Sequence, residues 1–174
     1  MIHFPRSTEE LPQQEEPIRL FLRDDGVFPN NDLIPLVVLR NAVSTKEGKK
    51  ATERAFLHVL VDNGWEPQWK GSLYSYHHYH ASTHEAIGVL NGSATVQFGG
   101  PGGPDLEIQA GDMLIIPAGV AHCLKGSQKD FQVIGAYPPG FSPDMCFGEA
   151  GERPAADKKI KKICACSLPS YLLK

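Results

Sequence analysis

Apolar and polar positions change their period along this chain, and the changes divide it. Residues 1–17, MIHFPRSTEELPQQEEP, are polar, acidic and broken by proline, the pattern of a loose arm with little to bury. The next stretch, IRLFLRDDGVFPNNDLIPLVVL, reads as two extended segments around a turn made by Gly26, Pro29, Asn30 and Asn31. Pro35 has no N–H to give a ladder, so the second segment is expected to be an edge strand or an irregular one. A helical period follows. Ala51, Ala55, Phe56, Val59 and Leu60 recur on one face, Ser44-x-x-Glu47 has capping-box spacing, and Asn63-Gly64 is a terminator. They predict a helix over 45–63, laid on the outside of whatever follows.

From residue 71 the period drops to two, and turn residues punctuate short apolar runs. Segments 85–90 and 93–98 flank Asn91-Gly92 and are expected to pair as a hairpin. LEIQ and MLII around Gly111-Asp112 are expected to form another. GGPGGPD (99–105) is a loop, and it lacks the lysine of a phosphate loop. Pro117-Ala118-Gly119 turns the chain into VAHCL, and FQVIGAY (131–137) supplies a further strand. So many short strands at regular spacing predict an all-β sandwich or barrel. Its core is placed at 71–140, within a single domain at 18–163 that ends in a charged helix over 152–163. Residues 164–174 form a tail.

Composition narrows the partners. A chain of 174 residues with 41% hydrophobic and 21% charged content is ordinary globular material for one domain. A net charge of −3 gives no reason to expect nucleic acid or an anionic membrane. The basic run Lys158-Lys159-Ile160-Lys161-Lys162 reads as a solvated helix face. The N-terminus has neither the basic start nor the apolar centre of a signal peptide, and no apolar stretch is long enough to span a bilayer. A cytoplasmic protein is expected. Cys123, Cys146, Cys164 and Cys166 are too few and too uneven for a disulfide framework, and Cys164-x-Cys166 lacks the second pair of a zinc site. Reduced thiols are expected.

One short stretch changes the picture. YHHYHASTHE (76–85) holds four of the seven histidines and a glutamate. If 74–80 is a strand, Tyr74, Tyr76, His78 and His80 share one face and His77 and Tyr79 the other. A hairpin closed by 81–84 then sets His80 opposite Glu85, on the side that Ile87 and Val89 continue into the core. A buried imidazole and a buried carboxylate each need a partner, and a metal ion serves both. His77 and His84 are expected at the surface or in loops, with His84 an alternative ligand if the hairpin is irregular. His122, in the alternating VAHCL, is the best candidate for a fourth ligand, although spacing alone does not derive it.

Two motifs here resemble those of the cupin superfamily. The first runs His-x-His, then Glu, then Gly, and matches His78, His80, Glu85 and Gly92. The second, Gly-x5-Pro-x-Gly-x2-His, matches Gly111, Pro117, Gly119 and His122. Gly71 stands six positions before His77 rather than before His78, and Gly126 replaces the usual closing asparagine. DDGVFPNN and GEAGERPAAD also resemble segments of small, mostly uncharacterised single-domain cupins. The resemblance implies a double-stranded β-helix, or jelly-roll barrel, with one or two flanking helices. It further implies one divalent transition metal ion, Fe, Mn, Ni, Cu or Zn, held by His78, His80, Glu85 and His122. Four protein ligands on an octahedral ion leave two positions for water, O2 or a chelating substrate.

The expected function is a metal-dependent enzyme, a dioxygenase or a decarboxylase or isomerase, acting on a small oxygenated or aromatic acid. The alternative is a non-catalytic cupin that binds a metal or small molecule. A metal-free epimerase-like cupin is disfavoured by the complete set of ligands. Tyr74 and Tyr76 are pocket candidates, suited to a phenolic or carboxylate ligand, or else core aromatics with satisfied hydroxyls. A homodimer is expected, since open jelly rolls often cover a sheet edge with a second subunit.

Overall fold

Residues 85–91 are buried on both faces, and the architecture is arranged around that strand. The computed structural model describes residues 15–166. In chain order the elements are β1 (Ile18–Leu22), β2 (Asn31–Leu39), α1 (Lys49–Asp62), β3 (Glu66–Gly71), β4 (Glu85–Asn91) and β5 (Ser93–Phe98). They continue with β6 (Asp105–Gln109), β7 (Met113–Ile116), β8 (His122–Ser127), β9 (Gln132–Tyr137) and α2 (Ala155–Cys166). The strands make two sheets, ordered β1-β2-β7-β4-β9-β3 and β6-β5-β8, with antiparallel pairing throughout.

Alternation assigns the faces. Ile87 and Val89 of β4 join Leu36, Leu114, Val133, Val96 and Phe98 in the core between the sheets. Ala86 and Leu90 point outward, where Phe56 and Leu60 of α1 cover the large sheet. A third cluster lies under α2, where Ile160 and Ala156 pack on Phe28, Tyr79 and Ala121. The basic run keeps its four lysines exposed and turns Ile160 inward. This is the all-β jelly roll with two flanking helices expected from the sequence.

Local turn chemistry misled in two places. Asn91-Gly92 joins β4 to β5, yet these strands lie in different sheets, so the turn is a corner and not a hairpin. Gly111-Asp112 makes the same kind of corner between β6 and β7. Burial decides the pairing. β4, apolar on both faces, takes a central place between β7 and β9. Among these strands the hairpin is β5–β6, around the glycine-proline loop.

Other expectations are corrected too. Residues 74–80 are not a strand; they run beside β8 and make only isolated bridges, His78 with His122 and Tyr79 with Cys146. The helix begins at Lys49, with Gly48 at its N-cap and no side-chain cap. Ser44 instead accepts the Lys46 N–H through Oγ at 3.4 Å, closing a local turn. β2 is an interior strand, and the Pro35 irregularity is a register shift, with Leu20 opposite Leu36 but Leu22 opposite Asn31. Cys123, Cys146 and Cys164 are free thiols. Most of the expected arm and tail, 1–14 and 167–174, lies outside the described residues. Among the described residues no helix is long and apolar enough to cross a membrane.

Candidate metal centre

Each histidine of the cluster is delivered by backbone. His78 and His122 exchange both main-chain hydrogen bonds, at 3.2 and 2.9 Å, so their side chains leave the same side of the bridge. Their ring centroids lie 4.2 Å apart. Ahead of His122 the chain turns at Gly119, whose φ is +92° and whose missing Cβ would fall 2.4 Å from the Asn30 carbonyl oxygen. Only glycine meets both demands. Asn30 then accepts the Ala121 N–H through Oδ1 at 3.1 Å and fixes the approach to β8. The His80 carbonyl takes the Gly119 N–H at 2.8 Å. Just beyond it, Asp144 Oδ1 accepts the N–H groups of Ala81 and Ser82 at 2.8 and 3.0 Å.

Glu85 arrives differently from the way its spacing implied. It opens β4 opposite Ile116 of β7, and residues 81–84 are not a regular hairpin, so His80 and Glu85 meet through the barrel and not across a turn. Its carboxylate is 3% exposed, with Oε2 3.5 Å from Nε2 of both His80 and His122. One ligand nitrogen each from His78, His80 and His122 lies within 4.8 Å of the others. The structure thus brings together all four residues singled out from the sequence.

The rings are also turned for coordination. Nδ1 of His78 lies 3.2 Å from the Tyr76 carbonyl, Nδ1 of His80 2.6 Å from that of Asp144, and Nδ1 of His122 3.1 Å from that of Val120. A carbonyl only accepts, so each Nδ1 carries a hydrogen, and in the neutral ring Nε2 is the atom left for coordination. This is the support commonly found behind histidine ligands. Burial and the neighbouring His122 ring push the His78 imidazole down to about 3. Burial also acts to lower His80, but the Glu85 carboxylate outweighs it and leaves His80 above its ordinary value. Burial works to raise Glu85, and the His122 and His80 imidazoles overcome it, holding the carboxyl well below its usual range. Among the described residues no lysine or arginine forms an ion pair with Glu85. A buried carboxylate beside three imidazoles, with no lysine or arginine paired to it, is a donor set that suits a divalent transition metal.

The cluster opens into a cavity of about 530 Å³, walled by Trp69, Leu73, Tyr74, Tyr137, Pro143 and Met145. Tyr74 lines it; Tyr76 stacks on Tyr74 at 4.9 Å, and both rings meet His78 edgewise. They are 53% and 44% exposed, so neither is a core aromatic. His77 is half-buried, with its ring 5.8 Å from Phe28. His84 is not at the surface. It is fully buried, and its Nδ1 accepts the Ala118 N–H at 2.9 Å, which ties it to the turn before His122 instead of the cluster.

Sequence reasoning missed Tyr137, whose hydroxyl donates to Glu85 Oε1 at 2.7 Å, and Asp144, which holds His80 through its carbonyl. Alternation in QVIGAY places Tyr137 on the same face as Val133, so its inward direction was legible; its contact was not. Asp144 lies in an irregular loop with no periodic signal.

Among solved structures, the chain aligns with acireductone dioxygenase from Bacillus anthracis, which has a cadmium ion in its active centre. The match has 21% identity and a TM-score of 0.38, and covers 56% of this chain and 66% of that one. A structure of the DMSP lyases RdDddP and RnDddQII aligns at 22% identity and a TM-score of 0.33, over 44% of this chain and 39% of that one. The chain spans less than two thirds of either. The cupin domain model matches residues 67–134, which include all four clustered residues. Over 142 residues, 82% of each chain, the sequence is 42% identical to the uncharacterized protein YjlB of Bacillus subtilis (strain 168). The domain match and this relative agree with the two motifs and the paired sheets: the chain belongs to the cupin superfamily.

Proposed function

We propose that this cupin holds one divalent transition metal ion through His78, His80, Glu85 and His122 and uses it on a small oxygenated or aromatic acid, as a dioxygenase or as a decarboxylase or isomerase. The observation that carries the reading is the shared orientation of the three imidazoles, each with Nδ1–H spent on a backbone carbonyl and Nε2 left for coordination. When bound, such an ion supplies Lewis acidity and, if redox-active, electrons for dioxygen chemistry.

The rest of the reading comes from the chain's own residues. A dication set against the single Glu85 carboxylate would leave one positive charge among buried ligands at the base of the cavity, which favours a monoanionic ligand. Trp69, Leu73, Tyr74 and Met145 provide apolar wall for a flat or aromatic body, and the Tyr74 hydroxyl is available to an oxygen substituent. Lys70, at the cavity margin, is engaged with Glu53 at 2.7 Å and stays outside the charge balance of the centre.

The test is calorimetric titration of apoprotein and of Mn(II)-loaded protein with a panel of aliphatic, 2-oxo and aromatic carboxylates, with oxygen uptake and carbon dioxide release followed on the Fe(II) form. Saturable binding in the loaded protein only, abolished in His122→Ala, is expected. Equal binding with and without metal would overturn the reading, and metal-dependent binding without turnover would reduce it to the non-catalytic cupin. We also propose a homodimer paired along β1, an edge strand whose Phe21 is 59% exposed; sedimentation at micromolar concentration should give twice the monomer mass.

A further inference from the structure

Glu85 has two carboxylate oxygens, and the fold treats them differently. Oε2 faces the Nε2 atoms of His80 and His122 at 3.5 Å. Oε1 accepts the Tyr137 hydroxyl at 2.7 Å, and the same hydroxyl oxygen receives the Trp69 indole N–H at 3.0 Å. The direction of this chain is dictated by its chemistry. An indole nitrogen can only donate, so the Tyr137 oxygen must accept there; its one hydrogen is then directed to Glu85, which as a carboxylate can only accept.

The relay is built into the strand pairing. Trp69 of β3 lies opposite Gly135 of β9, and a Cβ at Gly135 would fall 2.0 Å from the indole ring. Glycine at that position therefore makes the seat in which the indole lies. Tyr137 follows two residues later on the same face of β9, next to the first residue of β4.

We propose that Trp69 and Tyr137 are positioning residues that occupy Oε1 and present Glu85 to the metal through Oε2 alone. The proposal rests on the metal-binding reading above. Its consequence is coordinative. With Oε1 spent, the carboxylate would take one position on the ion, and the second position that a chelating carboxylate would cover would remain for the acid substrate. Without the Tyr137 hydroxyl, Oε1 is left buried with no donor, and the carboxylate swings to chelate the ion or turns away from it.

The test uses Co(II), whose visible absorption bands change in intensity and position with coordination number and geometry. Metal affinity by chelator competition and the Co(II) spectrum are measured for wild type, Tyr137→Phe, Trp69→Phe and the double variant. Thermal unfolding of the metal-free forms checks that each is folded. Tyr137→Phe is expected to bind Co(II) 10- to 100-fold more weakly with altered bands. Trp69→Phe keeps a ring over Gly135 and is expected to shift both readouts in the same direction by less. The double variant should match Tyr137→Phe alone, because the relay is already cut. Wild-type affinity and bands in Tyr137→Phe would overturn the relay while leaving the metal site standing. So would a Trp69→Phe effect that adds in full to that of Tyr137→Phe. A wild type that takes up no metal would overturn both readings together.

Discussion

His78 shows at the scale of one residue how burial becomes pH dependence. Unfolded, it takes up a proton near 6.5; folded, burial and His122 hold it neutral down to about 3. Between those values the unfolded state binds more protons, so the metal-free protein should lose stability as pH falls, by up to about 1.4 kcal/mol per pH unit from this residue. His80, with its value raised, acts with the opposite sign and only above 6.5, while Glu85, lowered from 4.5, acts below 4.5. The window from 4.5 to 6.5 therefore separates His78 from both. Urea unfolding of apoprotein across it should show a steeper pH slope in wild type than in His78→Gln, and equal slopes would contradict the account. His78, His80 and Glu85 were singled out by their crowding, although the strand and hairpin expected to align them do not form, and His122 only once the second motif was matched. Tyr137 and Asp144 were not legible, because periodicity gives the face of a strand and not the atom a side chain reaches.

At the scale of elements, two contacts separate the scaffold from the centre. Phe56, fully buried, anchors α1 on the outer face of the large sheet, away from the cavity. Phe56→Ala should cost about 3–5 kcal/mol in denaturant unfolding yet leave metal stoichiometry unchanged in the folded protein. Gly119→Ala should behave differently. A side chain there meets both the positive φ and the Asn30 carbonyl, so about 1–3 kcal/mol should be lost together with metal affinity, since this turn delivers His122. A variant destabilised to that degree with unaltered affinity would show that the turn does not position the histidine. The helix and every strand from β4 to β9 were legible as elements, because their periods are local. Their partners were not. Asn91-Gly92 and Gly111-Asp112 carry turn chemistry that a hairpin and an inter-sheet corner share, and only the burial of β4 on both faces tells them apart.

At the scale of the whole molecule, the described residues place an apolar core between the two sheets and set three imidazoles and a carboxylate at one end of it. The central claim is the proposal that these groups, buried without a lysine or arginine beside the carboxylate, are there to hold a divalent cation. It is tested most directly by elemental analysis of untagged protein purified anaerobically, wild type beside His80→Ala. Near-stoichiometric transition metal in wild type, lost in the variant while the fold is retained, is the predicted result. No metal in either sample, and none taken up when Fe(II), Mn(II), Ni(II), Cu(II) or Zn(II) is supplied, would contradict it.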